Sequence, residues 1–341
     1  MIEISNGVEN TPVKAVIYGA EGIGKSTLAS KMPKAIFFDV ECGTARLAVQ
    51  RTRPISKPFE DFNEIMTDFT EVINRRKELG IETIVFDTID ALELLIIKQV
   101  CKKYGKDGIE SFGYSKGYTF VAEELKRFLE KCDAAIFAGL NVTLLAHAKI
   151  TKFEQPDEMG AYDRWELKLS KRSAPLVKEW ADLLLFCNYK TTVITSGEGP
   201  EKKKKVQGGE RVMYTTHHSC WDAKNRFNLP DELPLDFDSI KELYSAPRAE
   251  IDFGVSAGDL MGNENNQPFD IESQVPDEPM NMKDALRALM KNDKISEKKV
   301  LSALGNKYSK LDEIPDEYIE TNLIAKWDRF RFFIQNGGKK A

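Results

Sequence analysis

The stretch VKAVIYGAEGIGKSTLASKMP, residues 13–33, decides the fold. An apolar run of strand character leads into Gly19-Ala-Glu-Gly-Ile-Gly24-Lys25-Ser26, which fits G-x-x-x-x-G-K-[ST]. A helix-compatible TLASKM follows until Pro33 stops it. Strand, glycine loop and helix in that order are the context in which this spacing cradles phosphate. The glycines let successive backbone N–H groups curl around the phosphates at a helix N-terminus, where the dipole also favours negative charge. The pattern nominates Gly19, Gly22, Gly24, Lys25, Ser26 and Thr27 for ATP binding. Lys25 would reach the β and γ phosphates and Ser26 would hold Mg²⁺.

A phosphate loop also needs a carboxylate at the end of a neighbouring strand to hold the metal. IETIVFDTIDAL, residues 81–92, supplies it: Asp87 closes an apolar strand. Further runs, AIFFDV, NVTLLAH and ADLLLFCNY, read as buried strands, and residues 61–79 and 119–138 carry apolar positions at helical spacing. Alternating strands and helices imply an α/β fold with a mainly parallel central sheet covered on both faces.

The 341 residues suffice for one large core and a smaller module. At 42% hydrophobic and 30% charged, the composition is that of a globular protein, and no apolar run approaches the roughly 20 residues of a membrane span. The N-terminus carries no signal pattern, which predicts a cytoplasmic protein. The five cysteines contain no C-x-x-C pair, which argues against a zinc site and a disulfide framework. A net charge of −5 does not announce a nucleic-acid binder, but its distribution is uneven. Residues 246–280 hold one Arg against eight Asp and Glu, and 281–341 hold thirteen cations against nine anions. The expected organisation is a core over 1–245, an acidic flexible linker over 246–280 and a small helical domain over 281–341. In that domain three stripes run through Leu286, Leu289 and Met290, through Val300, Leu301 and Leu304, and through Ile319, Leu323, Trp327 and Phe330.

These motifs resemble the RecA family, whose loop G-P-E-S-S-G-K-T-T is close to GAEGIGKST and whose next strand ends in D-A-E, matching Asp39-Val40-Glu41. The resemblance implies that Glu41 orients the water attacking the γ-phosphate. It also implies that His147, ending the strand NVTLLAH where RecA has Gln, senses that phosphate. Lys224-Asn225-Arg226-Phe227 resembles the K-N-R-F or K-x-R motif of the RadA and replicative-helicase branch, whose cations complete a neighbouring subunit's ATP site. A solvated charged turn is the plainer reading of that segment.

Two segments stand where RecA-like proteins hold single-stranded DNA, 102–118 and 149–173, and both interleave cations with aromatics. Lys149, Lys152, Arg164, Lys168, Lys171 and Arg172 are the candidate phosphate contacts and Trp165 a candidate stacking platform. Ordinary surface insertions would look much the same.

HAKITKFEQPDEMGAYDRWELKL, EWADLLLF and AKNRFNLP carry a closer resemblance to the phage-encoded RecA-like recombinases of the Sak single-strand-annealing group. That implies an ATP- and Mg²⁺-dependent, homo-oligomeric protein that binds single-stranded DNA and promotes annealing or strand exchange in phage recombination, in the host cytoplasm. The resemblance covers residues 13–230; beyond it the positive C-terminal module is open to DNA, a single-strand-binding protein or another replication factor as a partner, or to a passive stabilising role. A hexameric helicase or translocase, and a passive annealing protein with little ATP turnover, are the competing readings.

Overall fold

The structure, a computed structural model, describes residues 9–113, 116–154, 160–196 and 203–245, together with Ile4, Asn6 and Gly7. Nearer the C-terminus it describes 283, 286–287, 289–290, 293, 295–305, 307–315, 318–319, 323, 327, 330–331 and 334. The chain divides into two compact units, Met1–Asn263 and Glu264–Ala341. The expected linker, 246–280, lies outside the described residues.

Six strands of the first unit run parallel: β1 (Lys14–Gly19), β2 (Ala35–Asp39), β3 (Gln50–Arg51), β4 (Thr83–Asp87), β5 (Asn141–Glu154) and β7 (Leu183–Ser196). Their order is β7-β1-β5-β4-β2-β3, so the strand ending in His147 lies between the phosphate-loop strand and the Asp87 strand. Three strands join antiparallel on this side: β8 (Lys203–Tyr214) on β7, β10 (Glu232–Pro234) on β8, and β9 (Lys224–Asn225) on the start of β7. All five apolar runs read from the sequence are strands, because each is buried on both faces of the sheet.

Helices cover both faces. On one, α2 (Phe62–Asn74), α4 (Ile89–Lys103), α5 (Lys116–Phe137) and α6 (Ser173–Trp180) enclose the larger core. Phe62, Ile65, Phe69, Val72 and Ile73 give α2 its buried stripe, and the Asp61 carboxylate caps it by accepting from the Asn63 amide. The first helical stretch is broken at Arg75, and α3 (Arg76–Leu79) continues it to Gly80. At the centre Phe86 of β4 meets Phe38, Phe69 and Phe128 at 4.6, 5.0 and 4.8 Å. Each such pair adds roughly 0.5–1.5 kcal/mol beyond its area burial. On the other face α1 (Lys25–Ala29) and α7 (Lys241–Ser245) pack over Ala15, Ile17, Leu185 and Met213. No described helix is long and apolar enough to cross a membrane.

The sequence reading missed one feature of the sheet. Segment 149–154 is not a loop: β5 runs on past His147 and pairs antiparallel with β6 (Ala161–Leu167) from Ala148↔Leu167 to Glu154↔Ala161. β7 likewise outruns the sheet and pairs with β8 to Ser196↔Lys203. Because β5 and β7 are the two neighbours of β1, the phosphate loop leaves the sheet where both flanking strands continue as ribbons.

In the second unit the three expected stripes meet in one core: Leu286, Met290, Ile295, Val300, Leu311, Ile314, Ile319, Leu323 and Trp327 are buried. The Trp327 indole donates to Asp293 at 2.6 Å. A helix described there is α8 (Glu297–Ala303).

Gly19 is where backbone approach is tightest. A Cβ there would lie 2.2 Å from the Cys187 carbonyl oxygen of β7, which is backbone and cannot swing aside. Gly19→Ala is expected to destabilise the nucleotide-free protein by roughly 3 kcal/mol or more, read by thermal unfolding. Gly43→Ala, with open space around it, should melt like the unsubstituted protein.

Candidate functional site

The parallel register brings three strand ends to one edge of the sheet, with Asp39 and Asp87 two residues below Gly19. Gly19 is the partner of His147 and of Cys187, Asp87 of Leu145, and Asp39 of Asp87. Ligands of open α/β sheets bind beyond the carboxyl ends of the strands, and the predicted nucleotide residues gather there. Gly24, the residue before α1, has φ 113°, a conformation that glycine supplies at least cost. Lys25 is buried and folds back on its loop, its Nζ donating to the Gly19 and Ala20 carbonyls at 3.1 and 3.0 Å. Burial lowers its pKa, against the pull of Asp87, Asp90 and Glu41.

Asp87 is 4% exposed and accepts a hydrogen bond from the Ser26 hydroxyl. Its pKa is pushed up to about 6, first by burial and then by the charges of Asp39 and Glu41, with Ser26 and Lys25 opposing. A hydroxyl and an under-compensated carboxylate in contact form an all-oxygen donor pair, which suits a hard divalent cation such as Mg²⁺. When bound, the ion would neutralise charge on the terminal phosphates.

The other carboxylates have partners of their own. Asp39 is a structural residue: it accepts from the Gly43 and Thr44 amides at 3.0 and 3.1 Å and from the Thr44 hydroxyl at 2.5 Å, which fixes the turn carrying Glu41. Glu41 accepts from the Thr88 hydroxyl and stands 3.4 Å from His147 Nδ1. Asp90 binds His147 twice, at the backbone N–H and at Nδ1, both 2.9 Å. Glu93, buried in the next turn of α4, accepts from the Ser170 amide at 3.0 Å.

Lys224 and Arg226 stand elsewhere. Lys224 is the partner of Leu184 and Asn225 of Leu183, at the opposite end of the sheet from Gly19. The Lys224 ammonium donates to the Glu179 carbonyl at 3.0 Å, beyond which lies the Lys178 carbonyl at 3.5 Å, and Arg226 pairs with Asp182 at 2.7 Å. Burial and then the Arg226 charge lower the Lys224 pKa.

A cation that does lie against the phosphate loop of its own chain is Arg211 of β8, which the sequence reading passed over. Its Nη1 is 3.3 Å from the Ile23 carbonyl and 2.9 Å from where a Gly24 Cβ would sit. Only the β7–β8 pairing, 188 residues from the loop in sequence, puts it there.

The DNA candidates divide. Lys152, Lys168, Lys171 and Arg172 are exposed, and Lys168 reaches Glu21 of the phosphate loop at 3.5 Å. Lys149 is spent on the Leu169 carbonyl at 2.6 Å. Two candidates are corrected. Arg164 is 8% exposed, ion-paired with Asp222 and stacked over Phe153, so it holds the ribbon together instead of facing a phosphate. Trp165 is half-buried against Phe186 at 5.8 Å and its amide donates to the Cys220 carbonyl, so its ring is core. In the first segment Tyr104 stacks on Phe120 at 4.7 Å, Phe112 is buried, and Tyr118 donates to Glu110. These aromatics pack the turn onto α5; Tyr114 lies outside the described residues.

Residues 11–227 match the sequence pattern of the family described as AAA domain, a span that begins just before β1 and ends at Phe227. A curated relative, the SPbeta prophage-derived uncharacterized protein YorG of Bacillus subtilis (strain 168), is 26% identical over 233 residues. That match covers 67% of this chain and 63% of the relative, so the chain spans less than two thirds of the relative's length. Among solved structures, a KaiC-like protein of the archaeon Pyrococcus horikoshii OT3 is 12% identical, with 61% of this chain and 87% of that one covered and a TM-score of 0.29.

The charge state of Asp87 gives a test of the site without nucleotide. Its folded-state pKa lies above its unfolded value, so the stability it contributes is complete below the usual carboxylate range and lost as pH rises through about 6. Asp87→Asn removes that loss. In chelator the variant should melt higher than wild type above pH 6, by the equivalent of roughly 1–3 kcal/mol, with the difference closing toward pH 4. Mg²⁺ should stabilise wild type alone. A variant less stable than wild type at alkaline pH would make Asp87 an ordinary satisfied carboxylate.

Proposed function

The chain belongs to the AAA domain family, and we propose that it is an oligomeric, Mg²⁺-dependent ATPase acting on single-stranded DNA in phage recombination, its ATP site completed by a neighbouring copy. The observation that carries the reading is the position of Lys224 and Arg226. Leu183 and Cys187 are four residues apart along β7, about 13 Å at strand spacing, and the phosphate loop begins beyond the latter. Neither cation reaches its own phosphates, whereas a head-to-tail neighbour would present them to the next copy. In the single chain they are parked on Glu179 and Asp182, contacts that assembly would exchange for phosphate.

Within one site the roles divide by chemistry. Lys25 binds the β and γ phosphates, Ser26 and Asp87 hold the ion, and Glu41 orients the attacking water. Arg226 and Lys224 from the neighbour stabilise charge developing on the transferred phosphoryl group. Recombination is supported by the prophage origin of the relative and by the exposed cations Lys152, Lys168, Lys171 and Arg172 around the β5–β6 ribbon. With Arg164 and Trp165 withdrawn, phosphate contact outweighs base stacking in this reading, which favours sequence-independent binding.

Arg226→Ala and Lys224→Ala are expected to lose about 10³-fold or more in ATP turnover while still binding nucleotide. Mixing Arg226→Ala with Lys25→Ala should restore activity, since roughly a quarter of randomly assorted head-to-tail interfaces pair an intact loop with intact cations. No recovery on mixing, or normal turnover by the single variants, sinks the trans site. Lys171→Ala with Arg172→Ala should weaken single-stranded DNA binding equally across sequences and flatten its salt dependence. Electron microscopy with a non-hydrolysable ATP analogue distinguishes filaments, expected for a recombinase, from the closed rings of a helicase.

A further inference from the structure

Asp90 lies in the first turn of α4, three residues past Asp87 and 9% exposed. Both its oxygens are committed to one residue: Oδ1 accepts the His147 backbone N–H and Oδ2 faces His147 Nδ1, each at 2.9 Å. Glu41 Oε1 stands 3.4 Å from the same ring nitrogen. A carboxylate only accepts, so a nitrogen facing two of them carries the proton, whether the ring is neutral or cationic. Which nitrogen of a histidine is protonated is set by the bond the other nitrogen makes, and here the neutral ring is fixed as Nδ1–H.

We propose that Asp90 is a positioning residue that holds His147 as the Nδ1–H tautomer, so that Nε2 meets the attacking water as a hydrogen-bond acceptor beside Glu41. The proposal rests on the ATPase reading above. His147 is the register partner of Gly19, which sets the ring at the root of the phosphate loop. Asp90 and Glu41 both lie within electrostatic reach of Lys25. With Nδ1 occupied, Nε2 is the ring atom left for the reaction, and in the neutral ring it has a lone pair and no proton. His147 thus takes a hydrogen bond from water and does not give one to the γ-phosphate. That differs from the Gln of RecA, whose amide offers both a donor and an acceptor.

The same three side chains bring ligand atoms within 4.8 Å of one another, the spacing of a metal site. The hydrogen bonds account for that grouping without an ion: Nδ1 carries a proton and has no lone pair to give. Thr88 closes the network, donating to Glu41 while capping α4. The order Thr88, Glu41, His147, Asp90 therefore joins the Asp87 strand, the β2 turn, β5 and α4 in one chain of contacts.

The chain has three histidines, His147, His217 and His218, so the side-chain nitrogen resonances of the full-length protein are assignable by single substitution. With the rings neutral and no nucleotide present, His147 is expected as Nδ1–H. Asp90→Asn, whose amide can turn an N–H toward the ring, should shift it toward Nε2–H. The same variant should lower kcat for ATP about 10–100-fold with KM changed by no more than about twofold. A wild-type ring found as Nε2–H overturns the proposal. So does an Asp90→Asn protein that keeps Nδ1–H or turns over ATP at the wild-type rate. If that variant does not fold, the wild-type tautomer decides alone. Absent ATP turnover in wild type would instead sink the functional reading, with the tautomer still read independently.

Discussion

The register of β1 against its two neighbours governs what the rest of the molecule can be. Gly19 pairs with His147 on one side and Cys187 on the other, and on the Cys187 side the backbones leave no room for a side chain. β1 must stop there while β5 and β7 continue, because a chain turning into a phosphate loop abandons its ladder hydrogen bonds and its neighbours must find others. They do so by pairing outward with β6 and β8. The same register carries Asp87 and Asp39 to the same edge of the sheet, level with Leu145 and Ile17 and two residues below Gly19. The phosphate loop, the candidate metal ligand Asp87 and both ribbons thus descend from one alignment.

That alignment crowds negative charge. Asp87, Asp90 and Glu41 act on the one buried lysine of the region, Lys25, and Asp39 and Glu93 lie buried on the neighbouring β2 and α4. Their partners sort them by role. Asp39 is hydrogen-bonded by its own turn and lies 4.0 Å from Arg51, Asp90 is hydrogen-bonded by His147, and Glu93 by the Ser170 amide. Asp87 has only the Ser26 hydroxyl and a share of Lys25, and its raised pKa measures the shortfall. A buried carboxylate without a full complement of donors is costly, and such groups mark sites that wait for a cation.

The parts of this arrangement legible in the sequence are those written in local pattern. Apolar runs gave the strands because each is buried on both faces, and G-x-x-x-x-G-K-S gave the loop because glycine and lysine at that spacing have few other uses. The three stripes of the second unit were legible for the same reason: Val300 and Ile319 are buried as their helical spacing implied. The β5–β6 ribbon was not, because KITKFE and AYDRWEL are rich in charge and read as loop. Their alternation is that of a two-faced strand, with Thr151, Phe153, Tyr162 and Arg164 facing inward and Ile150, Lys152 and Asp163 outward. Arg164 and Trp165 looked available for DNA because nothing local reveals Asp222 or Cys220 as their partners, 58 and 55 residues away. Asp90 and Arg211 escaped notice for a related reason: each acts through an element that only the sheet topology brings near.

The root of that ribbon is held from three sides. Asp90 takes the His147 N–H, the His147 carbonyl takes the Lys168 N–H, and Glu93 takes the Ser170 N–H. Lys168 in turn extends to Glu21 in the phosphate loop. Two carboxylates one helical turn apart on α4 therefore grip both strands of the ribbon where it leaves the sheet, and α4 itself begins at Thr88, the residue after Asp87. The Asp87 strand end is thus joined through α4 to both strands of the ribbon. The exposed cations Lys168, Lys171 and Arg172 sit at that root, where Lys168 reaches the phosphate loop, and not at the ribbon's far end.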